Sequence, residues 1–479
     1  MPRILIAAFD GLQPSQVTHE RMPVVDGIAN NGVRFLHNHA VFPTVTRANS
    51  ASVVTGVTPG KHGLTANKLI VPEYSKTEVV DALVPKLPEI NRLFGGKLLF
   101  VPTLGELISE QGLKWVSVVG GTSGNAFVQH PNADKFGDVV IHPEFTNPQD
   151  HHVEIVSKFG EWPPKQAPAA DLVRRTADVA IEYAIGELKP DVLLVWFPEP
   201  DTSQHAFGID SSQAQDMYSL ADAQFGRILD AIGGNGEQAP PDVFVVSDHG
   251  YSTIDSVIDV HAELAKAGFS VHGAAGSEES SVVVAENGGS VLLYLTESDR
   301  QFADRLLRWL SSQDWVGAIA TDLADPGIPN LASMSDIGLE GLRSPDIALA
   351  MRSRESTRSA PLAMIGAATG GKPGVGSHGG GSPAELHNTL VASGPSFRSG
   401  LESNTTSGNI DIAPTVLKLL GLPVPDHLDG RVLTEALEHP ERGTSPENVQ
   451  DSSTGDMLAT PQTIKKVQAG GSQYLCEFG

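Results

Sequence analysis

The sequence predicts an α/β fold with a mostly parallel central sheet that has helices on both faces. Residues 4–9, 192–197 and 243–246 form short runs that are apolar at every position, and an aspartate follows each run. Strands that are covered on both faces have this pattern. Residues 170–188 and 212–232 have the helical pattern that alternates with strands in such folds. Ligands of these folds bind beyond the carboxyl ends of the strands, so we expect the functional residues at that edge.

The chain is expected to form one discontinuous core with an insertion. Between residues 255 and 371, glycine-, serine- and alanine-rich segments alternate with strand-like pieces and one amphipathic helix. We therefore expect a core at 1–254 and 372–437, and an inserted smaller α+β cap subdomain at 255–371. Residues 438–479 are rich in serine, threonine, glycine and glutamine, which predicts a flexible or arm-like tail.

The composition is that of a globular protein with an excess of acidic residues. Lysine and arginine number 33 against 57 aspartates and glutamates, so the formal charge is −24. This charge opposes binding to nucleic acids and to anionic membranes. The single cysteine, Cys476, excludes an intrachain disulfide and a cysteine metal site. The apolar runs are far shorter than the roughly 18 residues of a membrane span, and the first residues lack a signal-peptide pattern. We expect a cytoplasmic protein that binds neither membranes nor nucleic acids.

Six side chains that are able to bind metal ions stand at or near the predicted carboxyl edge of the sheet. Each alone has an ordinary interpretation as a helix cap, a turn residue or an exposed histidine. Together they divide into two sites of three ligands, which leaves open coordination positions as catalytic zinc requires. Two divalent cations would also outweigh the three carboxylate charges and make the site positive inside an acidic protein. The six residues are Asp10, Asp201, His205, Asp248, His249 and His378.

A threonine stands where an extended segment leads into a short predicted helix. Phe42 and Pro43 belong to the extended part, Thr46 follows, and Gly56 ends the helix. The ordinary interpretation of Thr46 is a helix N-cap. A nearby metal ion and a helix N-terminus both favour the alkoxide form of a hydroxyl, and the helix dipole also attracts a phosphate. Thr46 is therefore a candidate nucleophile.

The sequence resembles the alkaline phosphatase superfamily, and specifically its nucleotide pyrophosphatase/phosphodiesterase-like branch, which includes phosphonoacetate hydrolase. The matching blocks lie at residues 4–250 and 374–433. The resemblance implies an alkaline phosphatase-like fold for the core. The motifs that carry it are FDG, FPTVTRANSASVVTG with PGKHG, EPDTSQHAFG, SDHG, GSHGG and NIDIAPTVLKLLGLPVPDHLDG.

The resemblance also implies a role for each matched residue. Thr46 matches the nucleophile, and Asn49 matches an asparagine that donates a hydrogen bond to a nonbridging phosphoryl oxygen. Two zinc ions are implied, and sites rich in aspartate also accept manganese or iron. The ligands of one zinc match Asp201, His205 and His378, and those of the zinc that holds Thr46 match Asp10, Asp248 and His249.

The sequence departs from the family pattern at two positions beside the nucleophile. Many relatives that cleave nucleotides have an aromatic residue after the nucleophile, whereas this chain has Arg47. Arg47 either binds a second charge of the substrate or faces solvent. Ser50 stands where the relatives have a histidine beside the asparagine. The substrate class therefore stays open.

The first hypothesis is a dinuclear zinc hydrolase that cleaves phosphodiester or pyrophosphate bonds of small molecules through a phospho-threonine intermediate. The alternatives are a phosphomonoesterase, a phosphonate (C–P) hydrolase such as a phosphonoacetate hydrolase, or a non-catalytic relative that binds a metal or ligand. The expected partner is a small anionic phosphate or phosphonate, and the sequence is compatible with a homodimer.

Overall fold

The computed structural model describes residues 2–233, 240–273, 280–323, 328, 331–439, 448–454 and 462–479. An eight-stranded sheet lies at its centre. The five strands on one side of this sheet are parallel, and Leu390–Ser393 is antiparallel to both of its neighbours. The predicted fold, a mostly parallel sheet flanked by helices, is confirmed. The strands in spatial order are Leu401–Ser403, Val33–Phe35, Leu390–Ser393, Asp242–Val246, Ile4–Phe9, Val192–Phe197, Trp115–Val119 and Val139–Ile141.

The central sheet buries both of its faces. In the strand Ile4–Phe9, alternate side chains enter two separate hydrophobic cores, and none is more than 1% exposed. This is why the strand Ile4–Phe9 is apolar at every position. The helices that cover one core are Pro23–Asn31, Ala170–Val179 and Ser212–Gly233, and those that cover the other are Thr46–Thr55, Leu104–Ser109 and Ile412–Leu419.

Shorter helices connect the strands and extend the layers. The segment after Ala170–Val179 continues as a π-helix, Ala180–Leu188. Four 3-10 helices lie at Pro14–Gln16, Ser335–Ile337, Asn409–Asp411 and Thr434–Ala436. The other α-helices of the described residues are Pro59–His62, Lys86–Leu93, Ser123–Gln129, Ala133–Phe136, Asp150–Phe159, Asp201–Phe207, Val260–Lys266, Arg300–Leu310 and Pro383–Leu386.

The segment expected as an inserted subdomain contains its own antiparallel sheet. The helix Arg300–Leu310 packs on one face of this sheet, and Phe42 and Val45 of the core pack on the other. The inserted sheet therefore supports the segment that leads to Thr46. The division of the chain into core and cap stays a prediction. The strands are Val282–Glu286, Ser290–Leu295, Ile347–Met351 and Val316–Ala320.

Apart from the sheet at the end of the chain, three smaller sheets lie in the described residues. The four-stranded one connects the insertion to the core, because its strand Ser252–Val257 crosses the predicted boundary at residue 254. Its other strands are Ser353–Glu355, Met364–Ala368 and Gly376–Ser377. The two-stranded sheets pair Lys68–Val71 with Ser75–Asp81, and Asn38–His39 with Ser407–Gly408.

The end of the chain differs from the flexible or arm-like tail that the composition predicts. The strands Asn448–Thr454, Gln462–Ala469 and Ser472–Phe478 form an antiparallel sheet. Composition failed here because polar residues alternate with buried ones, and an average over the segment hides a period of two. Ile464 and Phe478 are among the buried residues. Residues 440–447 and 455–461 of the predicted tail lie outside the described residues.

The last strand packs directly behind the loop that precedes Thr46. The ring of Phe478 is fully buried and contacts the ring of Phe42 edge to face, with 5.1 Å between the ring centroids. The backbone N–H of Phe478 donates to the carbonyl oxygen of Gly381 at 2.8 Å. The C-terminal hairpin thus holds two loops of the core together.

None of the helices in the described part of the chain is long and apolar enough to span a bilayer.

Candidate active site

Three neighbouring strands of the central sheet deliver aspartates to one edge. Asp10 follows the strand Ile4–Phe9 directly, and Asp248 stands two residues beyond Asp242–Val246. Asp201 opens the helix that follows Val192–Phe197. The strands are parallel and adjacent, so their carboxyl ends meet and the three carboxyl groups face one cluster.

The first predicted ligand set comes together as expected from the motifs. Oδ1 of Asp201 lies 3.4 Å from Nε2 of His205 and 3.5 Å from Nε2 of His378. Candidate ligand atoms of the three residues lie within 4.8 Å of one another. His378 is 8% exposed although it lies in a glycine-rich loop. The backbone N–H of Gly289, in the inserted sheet, donates to the carbonyl oxygen of His378 at 2.8 Å and fixes that loop.

The second predicted set lies beside the first and includes the threonine hydroxyl. Nε2 of His249 is 3.1 Å from Oδ2 of Asp248 and 3.7 Å from Oδ1 of Asp10. The same nitrogen is 3.3 Å from Oγ1 of Thr46. Asp201 lies between the two sets, since its ligand atom is also within 4.8 Å of those of Asp10 and His249. All six candidate ligands and Thr46 therefore form one cluster.

Each histidine of the cluster is oriented by a backbone carbonyl. The Nδ1 atoms lie 3.1 Å from the oxygen of Gly376, 3.1 Å from that of Gly250 and 2.7 Å from that of Thr44. An Nδ1–H that donates to a carbonyl leaves Nε2 as the unprotonated nitrogen. In the neutral form of each histidine, the Nε2 atom that faces the carboxylates therefore has a free lone pair. The histidines are His205, His249 and His378, in that order.

The electrostatics of the cluster favour a bound cation. Burial, followed by the charges of Asp248 and Asp201, raises the pKa of Asp10 well above its usual value. Burial, followed by the charge that His249 carries when protonated, lowers the pKa of His378 well below its usual value. Burial opposes the charge of Asp201, yet the neighbouring histidines outweigh it and lower the pKa of Asp201.

Two buried carboxylate oxygens show whether the residues of the cluster are suited to bind metal ions. Oδ1 of Asp10 and Oδ2 of Asp248 are buried and accept no hydrogen bond from the described residues. The remaining oxygens of the same groups are satisfied, by Trp196 Nε1 at 3.0 Å and by the N–H of Gly11 at 3.1 Å. An unsatisfied buried carboxylate oxygen is costly. Imidazole nitrogens and carboxylate oxygens are ligands of zinc and similar metals, so the residues fit a divalent metal centre.

Thr46 is the first residue of the helix Thr46–Thr55, and Val45 is its N-cap. The sequence places the cap one residue later, at Thr46. With Val45 as the N-cap, the Thr46 hydroxyl makes no capping hydrogen bond to the helix. It lies 3.3 Å from Nε2 of His249 instead. The N–H groups of the first turn have no partner within the helix, so the backbone of Thr46 adds a donor to the site.

Asn49 does not face the cluster, which contradicts its predicted role. Its Nδ2 donates to the carbonyl oxygens of Val41, Pro43 and Val45, each at 3.2 Å. Its Oδ1 accepts from the N–H of Val41 at 2.8 Å and from Asn409 at 3.0 Å. Asn49 is fully buried. It shapes the loop before the nucleophile and has no free donor for a substrate.

A different asparagine, Asn67, lies beside the nucleophile. Its Oδ1 accepts from the backbone N–H of Arg47 at 3.0 Å. Its Nδ2 has no hydrogen-bond partner among the described residues, and the residue is partly exposed. Sequence reasoning missed Asn67 because nothing local marks it. Asn67 is 20 positions after Arg47 in the sequence, and only the fold brings the two residues into contact.

Tyr251 is a second residue that sequence reasoning missed. Its hydroxyl donates a hydrogen bond to Oδ1 of Asp201, and its ring is fully buried against the three histidines. The ring fills a slot between two glycines. A Cβ on Gly11 or on Gly376 would lie 2.5 Å or 2.8 Å from a ring atom. The available signal was its place in SDHGY, two residues after His249.

Arg47 lies over the site and does not face solvent. Its side chain is 11% exposed and pairs with Oδ1 of Asp81 at 3.1 Å. Its Nε donates to Oγ1 of Thr122 at 3.4 Å. Of the two alternatives that the sequence left open, the solvent-facing one is wrong.

Comparison with known proteins agrees with this geometry. A family model described as type I phosphodiesterase / nucleotide pyrophosphatase matches residues 4–356. The mouse (Mus musculus) ectonucleotide pyrophosphatase/phosphodiesterase family member 7 is 23% identical over 255 residues, which are 53% of this chain and 51% of the relative. An uncharacterized pyrophosphatase/phosphodiesterase of Schizosaccharomyces pombe is 22% identical over 252 residues, or 52% and 44% of the two chains. The matches thus span about half the length of these curated relatives.

Solved structures show the same fold. The human ectonucleotide pyrophosphatase/phosphodiesterase 5 superposes with a TM-score of 0.62 at 16% identity, covering 91% of this chain and all of the other. Its murine counterpart gives 0.60 at 17% identity with the same coverage of this chain. Together with the family match over most of the sequence, these similarities assign the superfamily branch. The chain belongs to the type I phosphodiesterase / nucleotide pyrophosphatase family, within the alkaline phosphatase superfamily.

Proposed function

We propose that this protein hydrolyses phosphodiester or pyrophosphate bonds of small molecules through a covalent phospho-threonine on Thr46. The family supports a hydrolase of this general class. The observation that carries the specific proposal is the single cluster of six candidate ligands around the Thr46 hydroxyl, which is 3.3 Å from His249.

Two divalent cations are part of the proposal, zinc in the first place and manganese or iron as alternatives. When bound, they supply Lewis-acid chemistry that activates the hydroxyl and stabilises the charge on phosphorus and its oxygens. One set of residues that would hold them is Asp201, His205 and His378, and the other is Asp10, Asp248 and His249.

The reaction proceeds in two displacements. Oγ of Thr46 forms a bond to phosphorus while the bond from phosphorus to the leaving oxygen breaks, and the hydroxyl proton passes to solvent. The leaving oxygen takes a proton from water. Water then attacks the phospho-threonine, and the threonine oxygen leaves with a proton as the original hydroxyl. Two in-line displacements give net retention of configuration at phosphorus.

The chain supplies hydrogen-bond donors for the nonbridging oxygens. The backbone N–H of Thr46 has no partner within its helix, and Nδ2 of Asn67 is unpaired beside it. Donors that are fixed before the reaction stabilise charge without reorganisation. We assign to Asn67 the role that the sequence gave to Asn49.

The non-catalytic alternative requires that some part of this set is missing or displaced. Thr46 and all six ligands have side chains in the cluster, which favours an enzyme. A cytoplasmic location, the absence of nucleic-acid and membrane partners, and a homodimer remain predictions.

The test is the Thr46→Ala variant assayed with bis-p-nitrophenyl phosphate after loading with zinc. We expect kcat to fall by several orders of magnitude, on the order of the loss seen for other nucleophile deletions, while the metal content stays at the wild-type value. Thr46→Ser is the matched control, because it keeps a hydroxyl and should keep measurable turnover. In the wild-type protein, mass spectrometry after acid quenching should find the phosphoryl adduct on the peptide that contains Thr46. Unchanged turnover in Thr46→Ala would contradict the proposal.

A further inference from the structure

Arg47 is buried within the active site and held there at two points. Its Nε bonds Thr122 at 3.4 Å, and its Nη1 pairs with Asp81 at 3.1 Å. Gly124 lies against this side chain: a Cβ there would lie 1.8 Å from the carbonyl oxygen of Ala82 and 3.2 Å from Nε of Arg47. Burial lowers the pKa of Arg47, and the charge of Asp81 opposes this. An arginine stays charged under these conditions, so the site contains a fixed cation.

Most of the guanidinium donors remain free. An arginine has five N–H donors, and only Nε and Nη1 make hydrogen bonds with the described residues. Asp81 does not neutralise the group, because its side chain is 48% exposed and exposed ion pairs are weak. The outer edge of Arg47, including Nη2, is therefore available to a planar anionic group.

The fold connects this edge with the reacting end of the site. Thr122, which holds Arg47, follows Gly121, and a Cβ on Gly121 would lie only 3.8 Å from Oδ2 of Asp10. Thr46 is the chain neighbour of Arg47. The charges of Asp10 and Asp201 both act on the guanidinium. An anionic group that Arg47 binds would thus be either an oxygen of the reacting phosphoryl group or a group next to it.

The neighbouring cavity does not add a second positive site. This cavity of about 270 Å³ is lined by Lys165, Gly121 and Trp162, and also by the acidic residues Glu144 and Glu161. The charge of Lys165 acts on Asp10, where it opposes the effect of burial on the pKa. Lys165 is exposed at the mouth, and the two glutamates outnumber it.

The loop that carries Lys165 is tied to the metal-ligand helix. The carboxylate of Glu199 accepts from the N–H of Ala169 at 2.7 Å and from the N–H of Ser203 at 3.0 Å. Ser203 lies in the helix that begins with Asp201. The cavity therefore has a fixed position relative to the cluster.

We infer that Arg47 forms an anion subsite that selects substrates with a second negative charge, either on the transferred phosphorus or on a group next to it. This inference rests on the proposed function. A diester with one negative charge needs no cation beyond the metal centre, so a buried arginine beside the nucleophile is a specific feature in a protein of charge −24. Within the proposed function, the subsite favours pyrophosphates and esters that carry a neighbouring carboxylate or phosphate, and it also admits phosphate or phosphonate monoesters.

The experiment compares two substrates that differ in charge on phosphorus. Wild type, Arg47→Gln and Arg47→Lys are assayed with p-nitrophenyl phosphate and with bis-p-nitrophenyl phosphate at saturating zinc. We expect Arg47→Gln to lower kcat/KM for the monoester by about 10- to 100-fold, the range for a lost charge-assisted hydrogen bond. The diester should change by less than about threefold. Arg47→Lys should recover part of the monoester rate.

Inhibitors then distinguish the two positions of the second charge. Methylphosphonate and phosphonoacetate share a phosphonate and differ by one carboxylate. If Arg47→Gln weakens inhibition by phosphonoacetate much more than inhibition by methylphosphonate, the second charge of the ligand lies on a group beside the phosphorus. If it weakens both equally, the charge sits on the phosphorus itself. Either outcome supports the subsite.

The control variant is Arg354→Gln, whose side chain is 58% exposed and pairs with Asp255. It should leave all rates and inhibition constants unchanged. If Arg47→Gln neither lowers the monoester rate selectively nor weakens inhibition by phosphonoacetate or methylphosphonate, the inference is overturned while the dependence on Thr46 still stands. A wild-type protein that turns over neither substrate would instead contradict the proposed function.

Discussion

The two sides of the active site are built differently. On the ligand side, every histidine is fixed by a backbone carbonyl, and the carboxylates are held by Trp196, Tyr251 and the N–H of Gly11. On the substrate side, Arg47 and Asn67 keep unpaired donors and Lys165 is exposed. Rigid burial suits metal ions, whose geometry does not change with the substrate. Free donors suit a group that arrives from solvent, so we expect the substrate preference to depend on the second side.

Removal of one ligand should give the largest effect and tests the ligand side. We expect His378→Ala to bind about one zinc fewer per chain and to lose activity by at least about a thousandfold, since the loss of a residue that only orients a metal ligand already costs about 10- to 100-fold. Zinc content by atomic absorption and kcat measure the two effects. His19→Ala, at a side chain that is 88% exposed, is the control. Retention of all metal by His378→Ala would show that the ligand set is misassigned.

Substitutions of Asn67 and Asn49 should have clearly different effects, one on activity and the other on stability. Asn67→Ala should lower kcat by about 100- to 1000-fold, as for a lost oxyanion donor, with little change in the free energy of unfolding. Asn49→Ala should lower the free energy of unfolding by about 1–3 kcal/mol, because it leaves buried partners unsatisfied.

Steady-state kinetics and denaturant titrations of the same two proteins provide the data. If Asn49→Ala lost activity while keeping full stability, the assignment of the roles would have to be reversed.

The smallest effect tests whether Tyr251 positions Asp201. Tyr251→Phe removes the hydroxyl and keeps the ring in its glycine slot, so the fold should be unchanged. Loss of a bond to a metal ligand weakens metal binding by about 10-fold or more. Isothermal titration of the metal-free protein with zinc measures this directly. Tyr74→Phe, whose hydroxyl bonds Lys86, is the control, and equal zinc affinity in both variants would exclude a positioning role for Tyr251.

The sequence was sufficient to predict the ligand side and the sheet. Asp10, Asp201 and Asp248 each follow a run that is apolar at every position, at residues 4–9, 192–197 and 243–246, so the topology of a parallel sheet alone brings them together. Short motifs mark the histidines. These predictions depend on local pattern and on one rule about strand ends.

The substrate side could not be predicted in the same way. Asn67 reaches Arg47 only through the hairpin Lys68–Val71 and Ser75–Asp81, which also brings Asp81 to the guanidinium. Asn49 stands in a matching motif, yet the loop at Val41 to Val45 turns its side chain inwards. Such contacts depend on loop geometry, and no periodicity encodes it.

The packing of Phe478 against Phe42 has a consequence for how the protein matures. The loop that leads to Thr46 is synthesised early, but its hydrophobic support arrives more than 400 positions later. During translation the nucleophile segment therefore emerges from the ribosome long before its final environment exists. Activity should appear only once the distal hairpin has docked, so the distal strands act as the last assembly step of the catalytic centre.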